Sequence, residues 1–221
     1  MTHPTRRIRS YVLRQGRITR AQQAAFEHYA PALLHPFYAS KLDLAQVFGN
    51  RQPVTLEIGF GNGESLFEQA RAHPEQNFLG VEVHRPGVGH LLHLAGQAQL
   101  GNLRIIHHDA VEVLQQQIAE ASLACVQLFF PDPWHKKRHH KRRILQADFI
   151  AEIHRVLCNG GRFHMATDWQ DYAEHMRREM DAARGFQFAS DQRGTRPLTK
   201  FEQRGLRLGH GVWDWVYIKT G

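Results

Sequence analysis

The chain has little cysteine and no long apolar run. Its two cysteines, Cys125 and Cys158, each lie in an apolar segment and do not have the spacing of a metal or redox pair. No segment approaches the roughly eighteen consecutive apolar residues that span a membrane, and the N-terminus has no apolar stretch typical of a secretory signal. These absences argue against a disulfide scaffold, a membrane span and secretion, and we expect a cytoplasmic protein with no membrane association.

Acidic residues are missing from two stretches of the chain. Residues 1–26 contain six arginines, and residues 135–143 contain six lysines or arginines. These stretches carry +12, so the rest of the chain carries −5 within the net charge of +7. Two basic patches on a mildly acidic body favour a polyanionic partner, most commonly nucleic acid, although a solvated charged surface is the alternative. An Arg-rich start also occurs in mitochondrial transit peptides, but serine is scarce here.

Short apolar runs alternate with amphipathic stretches from residue 53 onwards. The candidate strands are 54–60, 77–83, 103–108, 123–130, 161–168 and 211–219. The candidate helices between them are 64–72, 87–99, 109–120, 146–157 and 170–184. This alternation predicts an α/β protein with a doubly wound, mostly parallel sheet. We expect a basic N-terminal arm and a helix in residues 1–52, a domain over 53–221, a glycine stop at 158–161 for the fourth helix, and a last strand near a sheet edge.

A glycine-rich loop follows the first candidate strand. The segment "LEIGFGNGE" (56–64) places Gly59, Gly61 and Gly63 where the chain must turn sharply and approach a ligand closely. The spacing differs from the G-x-G-x-x-G fingerprint of dinucleotide-binding folds, and Glu57 and Glu64 flank the loop. Because these carboxylates disfavour a pyrophosphate, the loop favours a cationic ligand. S-adenosylmethionine has this character, with a sulfonium and an ammonium group and no phosphate.

Further acids follow the next three candidate strands. Glu82 lies near the second strand end, where nucleotide-binding folds place a ribose acceptor, Asp109 follows the third strand, and Asp132 follows the fourth. Taken alone, Glu82 or Asp109 is also explained as a helix cap or a solvated strand end, and Asp132 as part of a structural Asp-Pro turn. Together they outline a nucleoside site along the carboxyl edge of the sheet. Pro131 and Pro133 restrict the backbone on both sides of Asp132, which we expect to face the glycine loop.

The sequence resembles the tRNA (guanine-N7)-methyltransferases, a family of class I S-adenosylmethionine-dependent enzymes. The glycine loop is common to many methyltransferases, whereas "FFPDPWHKKRHHKRR" (129–143) and "TKFEQRG" (199–205) are far more specific. The resemblance covers nearly the whole chain, and its motifs lie at 8–19, 57–64, 80–89, 129–143, 166–169 and 199–205. One departure is His135, where the family often has proline.

The resemblance implies a role for each group of motif residues. The expected cofactor contacts are Glu57, Gly59, Gly61, Gly63, Glu82, Asp109 and Asp132, with Asp132 also catalytic. The expected substrate contacts are Lys136, Asp168, Thr199, Lys200, Phe201 and Glu202. The expected RNA-binding run is Arg138, His139, His140, Lys141, Arg142 and Arg143. The implied partner is tRNA, methylated at the variable-loop guanine by a monomer or homodimer with no obligatory protein partner.

The chemistry of guanine N7 agrees with these residue types. N7 carries a lone pair and no proton in the neutral base, so its methylation requires no general base. We therefore expect Asp132 to orient the guanine and to stabilise the positive charge that develops on its ring. The histidines have neither the helical spacing nor the cysteine partners of a zinc site, so we expect no metal. A methyltransferase for another RNA and a non-catalytic RNA-binding module are the alternatives, and four acids at strand ends argue against the second.

Overall fold

A computed structural model describes residues 9–11, 16–194, 196–198, 202–203, 209 and 211–221. The α-helices are α1 (Arg20–Leu33), α2 (Leu44–Phe48), α3 (Glu64–Ala72), α4 (Arg85–Gln97), α5 (Ala110–Glu112), α6 (Ala147–Val156) and α7 (Gln170–Ala182). The strands are β1 (Val54–Ile58), β2 (Asn77–Val81), β3 (Leu103–Ile106), β4 (Leu123–Phe129), β5 (Leu157–Thr167), β6 (Phe186–Ser190) and β7 (Trp213–Lys219). A π-helical turn (Val113–Gln117) follows α5, and a 3₁₀ helix (Lys137–Arg142) follows β4.

The strands form one sheet in the order β3-β2-β1-β4-β5-β7-β6. Strands β1 to β5 pair in parallel, and β7 pairs antiparallel with both β5 and β6. The chain reverses its winding between β1 and β4, so the carboxyl ends of these two strands flank the switch point of the sheet. The predicted α/β class and the doubly wound, mostly parallel sheet are therefore confirmed.

Each face of the sheet carries its own apolar cluster. Helices α1, α3 and α4 cover one face, and α2, the π turn, α6 and α7 cover the other. Thr19 caps the N-terminus of helix α1 and forms a capping box with Gln22. The helix packs closely on α4 because α4 has glycines at the contact. In α6, the predicted stripe of Phe149, Ile150, Ile153 and Val156 is buried.

The structure differs from the sequence prediction at the end of α6. The predicted glycine stop at 158–161 is wrong, because α6 ends at Val156 and Leu157 is already extended and begins β5. Gly160, with φ +75°, lies within β5, and the pairing register with β4 shifts at this point. The two glycines therefore form an irregularity in the strand and do not cap the helix.

Two other elements also differ from the prediction. The helix predicted over 109–120 shortens to α5 and the π turn. The sequence did not predict strand β6, which forms the edge of the sheet, so β7 lies second from that edge.

Among the described residues, no helix is long and apolar enough to cross a bilayer.

Candidate functional site

The glycine loop lies between β1 and α3 and is fixed by its own backbone. Gly59, Gly61 and Gly63 all have positive φ, at 71°, 60° and 79°. The amide of Gly59 donates to the carbonyl of Val81 at 2.8 Å. The first turn of α4 closes against the loop, because a Cβ at Gly87 would overlap the carbonyl oxygen of Gly61. The predicted sharp turn is therefore present, and α4 supports it from behind.

Glu82 follows β2 and joins the glycine loop to the next loop. One carboxylate oxygen accepts from the amide of Gly61 at 2.8 Å. The other accepts from the amides of Val83 and His84 at 2.7 and 2.9 Å. A carboxylate has about four acceptor positions. These three bonds therefore leave capacity for a hydroxyl of a bound nucleoside.

Glu57 is a buried carboxyl on β1 beside the glycine loop. Its side chain is almost fully buried, and its Oε2 has no hydrogen-bond partner within the described part of the chain. Burial raises its pKa to about 8, while the charge of Arg196 acts in the opposite direction and Glu82 adds to the rise. A buried acceptor without a partner is costly in free energy, and a cationic ligand would relieve that cost.

Asp109 lies at the carboxyl end of β3 and caps α5. Its Oδ1 accepts from the amide of Val111 at 2.9 Å, so the helix-cap role is real. The Asp109 carboxylate also interacts with the phenol of Tyr11, and burial together with this carboxylate raises the pKa of Tyr11. Residues 9–11 of the N-terminal region therefore lie beside the edge of the sheet that carries the acids.

Asp132 projects from a constrained turn after β4 and is solvent-exposed. The residues flanking the Pro-Asp-Pro segment, Phe130 and Trp134, have φ of +51° and +47°. This conformation is strained for large side chains, with a cost of order 1–3 kcal/mol each. The amide of Phe130 is held by the carbonyl of Ala166 on β5 at 2.8 Å. Sequence analysis predicted the rigidity of the prolines but not the strain on either side of them.

Two arginines of the basic run also hold this turn. Arg143 is 2% exposed, donates from Nε to the carbonyl of Pro133 at 3.0 Å, and forms an ion pair with Asp171 on α7. Arg142 lies over the Trp134 ring at 3.9 Å and donates to the carbonyls of Arg9 and Tyr11.

The remaining lysines and arginines of the run point outwards. Lys136, Lys137, Arg138 and Lys141 are exposed, while His139 and His140 are half-buried. A cleft of about 450 Å³ lies between this run, residues 9–10 and Asp109. Of these exposed cations, Lys141 lines the cleft, so the run borders the edge of the sheet that carries the acids.

Asp168 follows β5 and lies at a second cleft, of about 500 Å³. Trp169, Asp171, Glu174 and Trp213 also line it. His135 packs edge-on against Trp169 with ring centroids 4.1 Å apart. This cleft combines carboxylates with flat rings, a combination suited to an aromatic base with N–H donors.

One functional candidate was not predicted from the sequence. Arg196 is 4% exposed and forms ion pairs with Asp214 on β7 and with Glu202, the predicted substrate contact. The expected contacts Thr199, Lys200 and Phe201 lie outside the described residues. In the sequence, this cluster is indicated only by the position of Arg196 directly before "PLTKFE" (197–202). That position does not predict that the arginine is buried.

The described acidic side chains share the switch edge of the sheet. Glu57 lies within β1. The other acids follow the carboxyl ends of β2, β3, β4 and β5, and they are Glu82, Asp109, Asp132 and Asp168. Within the part of the chain that the structure describes, no group of three or more His, Cys, Asp or Glu side chains could hold a metal ion. The acid row can hold a nucleoside, and Asp132 can face a second, aromatic substrate.

Comparisons with known proteins agree with this geometry. A family described as "Putative methyltransferase" matches residues 51–215. A tRNA (guanine-N(7)-)-methyltransferase of Sodalis glossinidius (strain morsitans) is 59% identical over 97% of this chain and 92% of its own length. The protein of the same name from Shewanella frigidimarina is 56% identical over 97% of this chain and 93% of its own length.

Solved structures show the same fold at low identity. The 16S rRNA methyltransferase KamB aligns with a TM-score of 0.60 and 14% identity, covering 81% of this chain and 93% of its own. A variant of the 16S rRNA (adenine(1408)-N(1))-methyltransferase from Catenulisporales acidiphilia, solved with its cosubstrate SAM, aligns with a TM-score of 0.57 and 18% identity. That alignment covers 80% of this chain and 90% of the other.

Proposed function

Because the chain belongs to the family of tRNA (guanine-N(7)-)-methyltransferases, it transfers a methyl group from S-adenosylmethionine to N7 of a guanine in tRNA, and we propose that the row of acids along the sheet edge is its site and the variable-loop guanine its target. The observation that carries the site assignment is the buried Oε2 of Glu57, which has no hydrogen-bond partner among the residues that the structure describes, beside a loop of three positive-φ glycines. A ligand with positive charge and no phosphate fits that environment.

The residues present fit the cofactor. Glu57, Gly59, Gly61, Gly63, Glu82, Asp109 and Asp132 would hold it. When bound, S-adenosylmethionine supplies an electrophilic methyl group on its sulfonium. Glu82 has acceptor capacity for a ribose hydroxyl, and Asp109 has an oxygen beyond the one that caps α5. A bound cation beside Glu57 would favour the ionised form of this carboxyl, which is neutral without the ligand, so that Glu57 supplies negative charge in a site sheltered from water.

Asp132 acts on the guanine and removes no proton. Guanine N7 has a free lone pair, so the protein must align it with the methyl group and stabilise the positive charge that develops on the ring. A carboxylate fixed in a strained turn can accept from the guanine N–H groups and supply that stabilisation without reorganising. Lys136, Asp168 and the stretch from Thr199 to Glu202 contact the substrate, with Asp168 at the second cleft.

The exposed cations of the basic run bind tRNA phosphates. Arg138 and Lys141, with His139 and His140 beside them, present donors to solvent or near it. Arg142 and Arg143 serve this surface differently, because their guanidinium groups already bind the backbone of residues 9–11 and of the catalytic turn. Their role in RNA binding is to hold the surface in shape.

The organisation of the chain follows the same proposal. Residues 53–221 form the methyltransferase domain, and residues 1–52 comprise a basic arm, which adds phosphate contacts, and the helices α1 and α2. The family match over residues 51–215 supports this boundary. The enzyme acts in the cytoplasm as a monomer or homodimer without an obligatory protein partner.

A methyl-mapping experiment tests this function. The purified protein is incubated with tRNA and labelled S-adenosylmethionine, and the RNA is cleaved chemically at N7-methylguanosine. We expect cleavage at the variable-loop guanine, and none in a matched tRNA with adenine there. Transfer without cleavage would contradict N7 as the acceptor, and cleavage elsewhere would contradict the variable-loop assignment.

A further inference from the structure

A buried charge cluster lies beside the proposed site. The Arg196 side chain is 1% exposed and pairs bidentately with Asp214 of β7, from Nε and Nη2, at 2.9 and 2.8 Å. Its third nitrogen donates to Glu202 at 2.7 Å. His164 of β5 lies 2.8 Å from the same Asp214 carboxylate. Although burial opposes ionisation, hydrogen bonds from His164 and Arg196 hold the pKa of Asp214 below its ordinary value.

The guanidinium of Arg196 also contacts the strand that leads into the catalytic turn. It lies over the rings of Phe129 and Phe130, 5.2 and 5.4 Å from their centroids. Phe130 is the strained residue directly before Pro131, so a cation packed on its ring restrains a backbone that would otherwise relax. Arg143 holds the other end of the turn through the Pro133 carbonyl.

The same guanidinium orients Glu202. This glutamate is the residue that the structure describes within the expected substrate-binding stretch, 199–202. Arg196 bonds one carboxylate oxygen of Glu202, and the exposed Arg193 lies 3.5 Å from the other. The planar fork of an arginine can make these contacts together, whereas a lysine ammonium is a point charge on a flexible stem. Arg196 thus contacts Asp214 of β7, Glu202 and the residue that leads into the Asp132 turn, Phe130.

We propose that Arg196 is a positioning residue for methyl transfer, whose guanidinium fixes the Phe129–Phe130 end of β4, and with it the Asp132 turn, relative to Glu202. This inference rests on the function proposed above. It concerns the rate of the transfer step once cofactor and tRNA are bound. A buried ion pair is weak grounds for stability, so a role in geometry accounts for the cluster better than a role in folding alone.

The test compares Arg196→Lys and Arg196→Gln with the control Arg193→Gln, which removes the exposed partner of the same Glu202. Single-turnover rates are measured at saturating tRNA, well below each thermal midpoint, with cofactor affinity measured by calorimetry. We expect Arg196→Lys to bind cofactor nearly as wild type while its rate falls roughly 10- to 100-fold, because misplaced reacting groups lose rate steeply. The control keeps its rate. A wild-type rate in Arg196→Lys, or an equal loss in Arg193→Gln, overturns the proposal.

A second readout does not depend on the methyl transfer. Because the positive charge of Arg196 opposes the raised pKa of Glu57, Arg196→Gln should move the ionisation of Glu57 to higher pH, and Arg196→Lys should not. The pH dependence of unfolding of the cofactor-free protein reports this shift. Its absence in Arg196→Gln contradicts the placement of the guanidinium.

A third variant covers the case in which both Arg196 substitutions fail to fold. Asp214→Asn keeps Arg196 and weakens its clamp, and we expect the same loss of rate. A wild-type rate in Asp214→Asn then overturns the proposal. A wild-type protein that transfers no methyl group contradicts the proposed function instead, so the two failures can be told apart.

Discussion

Glu57 shows how a single residue can oppose folding and serve binding. A carboxyl whose pKa is about 8 in the folded protein and 4.5 in the unfolded chain binds more protons when folded. The contribution of Glu57 to the free energy of unfolding is therefore complete below about pH 4.5 and is lost as the pH rises to about 8. Each pH unit in this window lowers the free energy of unfolding by about 1.4 kcal/mol.

Glu57→Gln is expected to remove this pH dependence. Relative to the variant, the cofactor-free wild type should lose thermal stability between pH 5 and pH 8, and the variant should bind S-adenosylmethionine at least about tenfold more weakly because a buried charge partner is gone. Thermal unfolding across pH and calorimetry measure the two effects. Glu68→Gln, on the exposed face of α3, serves as the control. A stability difference that does not change with pH would contradict the buried, neutral carboxyl.

Asp132→Asn tests the positioning role proposed for the turn that carries this carboxylate. Turnover should fall roughly 100- to 1,000-fold, in the range for loss of an electrostatic transition-state contact. The acid limb of the pH profile should stay in place, since N7 requires no proton removal. Asp191→Asn, on the exposed segment after β6, should retain full activity. An acid limb present in the wild type and missing in Asp132→Asn would point to a base.

At this scale the sequence indicates which acids follow the strands but not what surrounds them. The positions of Glu57, Glu82 and Asp109 follow from strand ends that local patterns reveal. The burial of Glu57 and its charge coupling to Arg196 depend on residues 139 positions apart. No local pattern carries that information, so the neutral carboxyl could not be predicted.

At the scale of elements, the π turn shows why the third predicted helix was too long. Two cationic side chains from distant segments donate hydrogen bonds to the carbonyls in and next to the turn. Lys41 donates to those of Gln115 and Ile118, and Arg155 donates to those of Leu114 and Ile118. With its carbonyls satisfied from outside, the segment does not need a regular helical ladder. The apolar spacing of residues 109–120 predicted a helix because these partners lie elsewhere in the chain.

Helix α4 and the glycine loop form one unit, and Gly87→Ala tests their contact. The added methyl group would overlap the carbonyl of Gly61, so the loop must shift away from the acids. We expect cofactor affinity to fall at least about tenfold and the thermal midpoint to drop. Gly101→Ala is the matched control, because a Cβ there meets nothing within 4 Å. Equal affinity in the two variants would show that the loop position does not matter for binding.

At the scale of the whole molecule, positive charge is concentrated beside an acidic site. The sequence predicted both the sheet and the basic run, because periodicity and charge are local properties. It did not divide the run into exposed cations and the buried Arg143, since that division depends on α7, whose Asp171 pairs with Arg143.

Neutralising exposed members of the run should separate RNA binding from cofactor binding. In Lys137→Gln/Arg138→Gln/Lys141→Gln, tRNA affinity should fall and its logarithmic salt slope should decrease by about two, at about 0.7 per contact. Cofactor affinity should not change. The control neutralises three exposed arginines elsewhere, Arg71, Arg178 and Arg184. A salt slope equal to that of the wild type would exclude the run from phosphate binding.

The backbone conformation of Phe130 and Trp134 has a consequence for protein engineering. A search for more stable variants would favour glycine at both positions, since glycine adopts positive φ without strain. Such variants would lose the rings on which Arg196 and Arg142 pack, and Asp132 would occupy many orientations. Thermostabilised variants of this enzyme should therefore be screened for methyl transfer at each step, because selection for melting temperature alone would select against activity.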